Sequence, residues 1–211
     1  VSVLVKICGL NDPEAIDAAA TADFAGFIFF PRSPRHVEPA RAGALAARLP
    51  RRVKRVAVTV DADDAALDAI VAGLAPDLIQ LHGRETPARA RAIAARLGIG
   101  TIKALSVSTA ADLAAAEPFA EAVDWLLFDA KPPARPDALP GGNAVSFDWT
   151  ILTGRRFDRP WLLSGGLDPD NVAEAIRISG ATAVDVSSGV ESAPGRKDPR
   201  RIAAFLAAAR G

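Results

Sequence analysis

An α/β fold in which eight parallel strands close into a barrel ringed by helices is what the sequence predicts, as a single domain over residues 1–211, and three observations carry it. Short β-branched or apolar runs alternate with Ala-rich stretches whose apolar residues recur at three- and four-residue spacing, the pattern of parallel strands covered by helices. Eight such runs occur, most of them at intervals of roughly 20–30 residues, the length of a βαβ unit. The polar residues inside the runs fall on one parity, so each strand has an apolar face for the helices and a second face that carries chemistry.

In order along the chain, the first strand spans residues 3–8, where Val5-Lys6-Ile7-Cys8 stops at Gly9, and a helix follows over 13–22. The second strand spans 25–30 with a helix over 39–49, and the third 55–60 with a helix over 64–73. The fourth spans 78–82 with a helix over 87–97, and the fifth 101–105 with a helix over 109–116. Strands at 125–129, 161–164 and 183–187 complete the set, the last two followed by helices over 169–179 and 199–210. Pro13, Pro39, Pro87, Pro169 and Pro199 suit the first turn of a helix, where a missing N–H is no loss, and the carboxylate of Asp64 suits the same place. Between Asp129 and Trp161 the interval is longer and contains Lys131-Pro132-Pro133 and Pro140-Gly141-Gly142, a stretch read as a lid over the barrel mouth because the alternation resumes unchanged beyond it. The architecture is the (β/α)8 TIM barrel.

Composition narrows the function. Lys plus Arg equals Asp plus Glu at 25 each, so net charge gives no reason to expect a nucleic acid or an anionic membrane as partner. The local run Arg48-Leu49-Pro50-Arg51-Arg52-Val53-Lys54-Arg55 reads as a solvated loop. Gly98-Ile99-Gly100 precedes a strand and lacks a third glycine, so it is no dinucleotide loop. One cysteine forms no internal disulfide, and with two histidines it makes no structural zinc set. The expectation is a soluble cytoplasmic protein without metal or cofactor, since no apolar run approaches the ~18 residues of a membrane span.

Alternation puts Lys6 and Cys8 on one face of the first strand, Gln80 with His82, and Asp185 with Ser187, while Asp129 opposes Phe128. Polar groups are thus expected inside the barrel from strands one, four, five, six and eight, with Lys103 supplying the fifth. Strands one and eight are neighbours in a closed barrel, so Lys6 and Asp185 are expected to form an interior ion pair, mainly structural. Lys6 also has the alternative role of biasing Cys8 toward thiolate. Cys8 itself reads either as a small buried apolar residue or, at the C-terminal end of a first strand, as an acid or base on the face where such barrels do chemistry. Gln80 and His82 are candidate substrate contacts or satisfied core groups. Asp129, ending its strand just before the lid, is a candidate catalytic carboxylate.

Two segments follow the seventh and eighth strands, Ser164-Gly165-Gly166-Leu167 and Ser187-Ser188-Gly189-Val190-Glu191. Unobstructed backbone N–H groups there suit a phosphate, which many barrels hold in these two loops. Gly165, Gly166, Ser187, Ser188 and Gly189 are the candidates.

These segments, together with Gly26-Phe27-Ile28-Phe29-Phe30-Pro31-Arg32-Ser33-Pro34-Arg35, Gln80-Leu81-His82-Gly83, Leu127-Phe128-Asp129 and Phe147-Asp148-Trp149, resemble the phosphoribosylanthranilate isomerases of tryptophan biosynthesis over nearly the whole chain. The resemblance implies a cofactor-free Amadori rearrangement of a small phosphorylated substrate, with Asp129 as general acid and Cys8 as general base. It implies that Arg35 meets the anthranilate carboxylate through a bidentate contact, and it leaves monomer and homodimer open. The lid departs from the family pattern, with Ala144 where a glycine is common and Val145 where a basic residue is common. The nearest alternative is the histidine-pathway isomerase that performs the same rearrangement, which carries a carboxylate in place of Cys8. A catalytically silent phosphate-binding barrel is the other.

Overall fold

A computed structural model describes residues 2–132, 141–142 and 145–211. Eight parallel strands close in sequence order: β1 (Leu4–Cys8), β2 (Phe24–Phe29), β3 (Lys54–Thr59), β4 (Leu78–Leu81), β5 (Gly100–Val107), β6 (Trp125–Ala130), β7 (Trp161–Leu163) and β8 (Ala183–Val186). Closure is made by β8 against β1, with Lys6 in register with Asp185. Around them lie α1 (Pro13–Ala18), α2 (Pro39–Ala46), α3 (Asp64–Leu74), α4 (Pro87–Leu97), α5 (Val172–Ser179) and α6 (Pro199–Arg210). Asn143 and Ala144 of the expected lid, and residues 133–140 before them, lie outside the described residues.

Parity explains the two cores. Val5, Ile7, Ile79 and Val184 face the helices and are fully buried in the outer layer. Phe24, Val56, Val58, Ile102, Leu127 and Leu162 fill the inside of the barrel, beneath Cys8. Ile102 and Ala104 belong to that inner cluster, so Lys103 between them must point outward. The expectation that Lys103 lies inside the barrel is therefore wrong. Its ammonium donates to Glu85 at 2.8 Å and to the Gly83 carbonyl at 2.7 Å, behind the loop that follows β4.

Several helices are shorter than the sequence pattern suggests, each for a local reason. α2 ends at Ala46, not at 49, and the next N–H groups, from Arg48 and Leu49, bond three residues back because Pro50 disfavours a helical residue before it. α5 starts at Val172, not at 169, because the Asp168 carboxylate accepts the N–H groups of Asp170 and Asn171 and holds them in a turn. After β5 the chain forms a 3-10 helix (Ala110–Phe119) in place of the expected α-helix. Pro118 lacks the donor an α-helix needs, and a run of alanines has little to bury. Asp112 caps this segment by accepting the Ser108 and Thr109 N–H groups, which holds its carboxyl at about 2. A hairpin of β9 (Glu191–Ala193) and β10 (Arg196–Lys197) follows β8, an element the strand pattern does not predict.

The face opposite the barrel mouth is held by a repeated device. Asp23, Asp77 and Asp124, just ahead of β2, β4 and β6, accept the N–H groups of Val5, Arg55 and Thr101 at 2.8, 2.8 and 2.7 Å. Each carboxylate satisfies a donor at the start of the preceding strand, clasping one βαβ unit. Asp124→Ala leaves the Thr101 N–H without this acceptor, and urea unfolding is expected to lose about 1–3 kcal/mol with kcat unchanged. Burial pushes the Asp77 carboxyl up, but the Arg55 N–H and the Lys54 and Arg55 charges hold it below its ordinary value. Its contribution is accordingly present above the unfolded carboxylate pKa and fades as pH falls through the lower folded value.

Candidate active site at the barrel mouth

Cys8 ends β1 with its thiol buried inside the barrel rim. Lys6 lies one inward-facing position below, fully buried, and donates to Asp185 Oδ1 at 2.7 Å. Asp185 also accepts from the Ser164 hydroxyl at 3.1 Å, so this interior carboxylate has partners on both oxygens. A Cβ on Gly26 of β2 would stand 3.0 Å from Cys8 Sγ and 3.2 Å from Lys6 Nζ. The absence of a side chain there lets thiol and ammonium occupy the same wall. Burial pushes the Cys8 thiol up, and Lys6 pulls it partly back, so Lys6 opposes desolvation without overcoming it. The expected Lys6–Asp185 pair is present, and a thiolate-favouring Lys6 acts only as a partial offset.

Asp129 stands across the mouth near the end of β6. Its Oδ1 accepts the Ala130 N–H at 2.9 Å and its Oδ2 lies 3.4 Å from His82 Nε2. Gln80 Nε2 lies 2.8 Å from His82 Nδ1. With the amide nitrogen donating, Nδ1 accepts and the imidazole proton sits on Nε2, facing Asp129. Gln80 Oε1 is buried and has no hydrogen-bond partner among the described residues, which leaves an acceptor at the cavity wall. Gly141 packs directly over the pair, since a Cβ there would come within 2.8 Å of both Asp129 Oδ2 and His82 Nε2.

Arg35, in the loop after β2, is buried. Its Nε and Nη2 donate to Glu191 Oε1 and Oε2 at 2.7 and 2.9 Å, and Nη2 also reaches the Gly142 carbonyl at 3.3 Å. The bidentate edge expected to meet a substrate carboxylate is thus occupied by Glu191; Nη1 lies beside Gly142 and has no hydrogen-bond partner among the described residues. Glu191 is also bound by Lys197 Nζ at 2.7 Å. Burial pushes the Glu191 carboxyl up, yet Arg35 and Lys197 hold it below its ordinary value; burial pulls the Lys197 ammonium down.

The two expected phosphate loops adjoin one another. Gly165 and Gly166 both have positive φ, at 87° and 67°, and a Cβ on Gly165 would sit 2.6 Å from the Ala130 nitrogen. Only glycine fits that turn between Asp129 and the loop after β7. Ser187 and Ser188 line the same cavity from the end of β8, where Ser188–Val190 form a 3-10 turn. Gly189 does not line it; its lack of a side chain instead lets this turn press against the Leu167 carbonyl. Val145 and Ser146, described residues of the expected lid, lie against Gly166. The cavity of about 790 Å³, counting its open mouth, therefore brings Cys8, Arg35, Gln80, His82, Asp129 and the two loops together.

Sequence reasoning did not single out Glu191 or Lys197. The signal was the Pro194-Gly195 turn between two short arms, which pairs Glu191 with Lys197 across β9 and β10.

A family model described as N-(5'phosphoribosyl)anthranilate (PRA) isomerase matches residues 5–208. The chain belongs to the phosphoribosylanthranilate isomerase family. It is 59% identical over 211 residues to the N-(5'-phosphoribosyl)anthranilate isomerase of Paramagnetospirillum magneticum (strain ATCC 700264 / AMB-1), covering 99% of this chain and 98% of the relative. Its fold is similar to the crystal structure of phosphoribosyl anthranilate isomerase from Thermotoga maritima, with a TM-score of 0.87 and 37% identity over 99% of each chain. A phosphoribosyl anthranilate isomerase solved in complex with reduced 1-(o-carboxyphenylamino)-1-deoxyribulose 5-phosphate is similar at a TM-score of 0.84 and 36% identity, again over 99% of each chain. As a phosphoribosylanthranilate isomerase family member, the chain is an isomerase of tryptophan biosynthesis. No helix among the described residues is long and apolar enough to cross a membrane.

Proposed function

We propose that this chain converts N-(5'-phosphoribosyl)anthranilate to 1-(2-carboxyphenylamino)-1-deoxyribulose 5-phosphate, with Asp129 as general acid and Cys8 as general base. The observation that carries this reading is the placement of a thiol and a carboxyl on β1 and β6, on the wall of one cavity that also holds an arginine and two glycine-serine loops. Asp129 gives its proton to the furanose ring oxygen as the bond from C1 to that oxygen breaks, and the amine lone pair forms the C1 iminium. The Cys8 thiolate takes the C2 proton, and the electrons of that bond form the C1–C2 double bond of an enolamine. Loss of the C2 hydroxyl proton and protonation of C1 give the ketone. Two protons enter and two leave, so the sequence needs no redox partner, and acid and base must stand at different atoms of one small substrate.

The remaining contacts follow the substrate's polarity. Gly165, Gly166, Ser187 and Ser188 face the phosphate with backbone N–H groups and hydroxyls. Arg35 meets the anthranilate carboxylate through Nη1, a charge-assisted contact. His82 orients Asp129, and the unpartnered Gln80 Oε1 accepts a hydrogen bond from a substrate hydroxyl. A base made from a thiol must stay reduced, which suits the cytoplasm. The chain works as a monomer or homodimer.

Loss of anthranilate-type fluorescence on mixing the purified protein with freshly generated substrate tests the reading. Turnover is expected. A folded protein that leaves the fluorescence unchanged belongs to the histidine-pathway substrate or to a silent barrel.

A further inference from the structure

Glu191 lies behind the cavity wall, between the loop after β2 and the loop after β8. Oε1 accepts from Arg35 Nε and from Lys197 Nζ, each at 2.7 Å, while Oε2 accepts from Arg35 Nη2 at 2.9 Å and from the Gly195 N–H at 3.2 Å. Lys197 Nζ in turn donates to the Ser187 carbonyl at 2.9 Å and lies 3.3 Å from the Ser187 hydroxyl. One carboxylate thereby joins the loop after β2, which carries Arg35, to the loop after β8, which carries Ser187 and Ser188. Side-chain exposure is 5% for Arg35, 4% for Glu191 and 0% for Lys197, so the three charges are sealed together. Neither Glu191 nor Lys197 lines the cavity, and the proton transfers proposed above use neither.

We propose that Glu191 and Lys197 are positioning residues that fix Arg35 and the phosphate loop at one separation, so the site selects molecules whose carboxylate and phosphate match that span. The inference rests on the function proposed above. An arginine with free rotamers meets a carboxylate at many distances from the phosphate loop. Fixing its Nε–Nη2 edge by a bidentate pair turns Nη1 to one place, and Lys197 fixes the Ser187 end by the same anchor. A ligand that carries both anions gains from both contacts at once only when its length fits, because the second contact then forms at high effective concentration. Two cations around one anion also leave the buried cluster one positive charge in excess, which a bound anion offsets.

Glu191→Gln tests the gauge, with inorganic phosphate and anthranilate used as separate competitive inhibitors and phosphoribosylanthranilate as substrate. Each inhibitor is expected to bind at least as tightly as in the wild type, since a negative charge has been removed from between two cations. Substrate kcat/KM is expected to fall roughly 10²-fold, more through KM than through kcat, because misplacement by about an ångström costs that much. Lys197→Met, which leaves the Arg35–Glu191 pair neutral and is the safer fold, is expected to raise the phosphate inhibition constant about tenfold and leave that of anthranilate unchanged. Parallel weakening of both inhibitors in Lys197→Met, or unchanged substrate kcat/KM in a folded Glu191→Gln protein, overturns the gauge while wild-type turnover keeps the parent reading. A wild type without turnover overturns both.

Discussion

Cys8→Ala is expected to lower kcat for phosphoribosylanthranilate by about 10²–10⁴-fold, the range for loss of a positioned general base, and Asp129→Asn to do the same for loss of the acid. Both proteins should stay folded. Cys8 gives up one buried sulfur, worth about 1 kcal/mol, and in a chain of this length such a change moves Tm by roughly 2–4 °C. The amide that Asp129→Asn introduces keeps an acceptor for the Ala130 N–H that Asp129 Oδ1 now binds, but has no acidic proton to release. The double variant should be little worse than either single one, because acid and base act on one substrate as a unit. A Cys8→Ala protein that unfolds, by circular dichroism, returns the thiol to a packing role.

The pH dependence follows from the thiol. Burial raises Cys8 above its ordinary value and Lys6 offsets only part of that, so the thiolate is the minor form at neutral pH. Cys8 is the one cysteine of the chain, so its alkylation by iodoacetamide reads the thiolate directly, and the rate is expected to climb by about tenfold per pH unit toward alkaline pH until the thiol pKa is passed. A rate flat from pH 6 to 9 contradicts the raised thiol. Stability runs the other way, since a thiol whose pKa is raised on folding favours the native state only below its unfolded value and loses that contribution as pH rises through the folded one.

What could be read from the chain divides along physical lines. Strand order and the placement of Cys8 and Asp129 at the barrel mouth were legible because period-two alternation and strand ends depend on short stretches, as at Val5-Lys6-Ile7-Cys8. The same alternation puts Lys103 on the outer face, against the expectation of an inward lysine, because Ile102 and Ala104 on either side fill the inner one. Helix ends were less legible because they depend on side chains that bind the backbone, such as Asp168, and on single prolines, such as Pro50 and Pro118. The Arg35–Glu191–Lys197 cluster joins residues 156 positions apart, and no local pattern announces which anion a buried arginine meets first. The resemblance implies a bidentate contact of Arg35 with a substrate carboxylate, and the residue that takes that edge in the fold, Glu191, lies far along the chain.

Lys6→Met is expected to have the largest effect on stability, a loss of about 3–5 kcal/mol, because it leaves a buried carboxylate without its counter-ion. Asp185 is 5% exposed, and with Lys6 gone only the Ser164 hydroxyl remains on it among the described residues. The carboxyl would then have to take up a proton or draw in water between β1 and β8, the seam at which the barrel closes. Burial pulls the Lys6 ammonium down, but Asp185 and Cys8 carry it above its ordinary value, so the native pair keeps its charge. With a raised folded pKa, the lysine's contribution is complete below the unfolded value and is lost as pH rises through the folded one, in the same alkaline direction as the thiol. Urea midpoints for wild type, Lys6→Met and the double variant Lys6→Met/Asp185→Leu separate cost from benefit. The double variant should recover most of the loss, because two apolar side chains of similar volume carry no desolvation penalty. Its kcat should nevertheless stay low, since Lys6 is the cation that offsets burial of the Cys8 thiolate. Recovery of kcat together with stability would restrict Lys6 to holding the barrel closed.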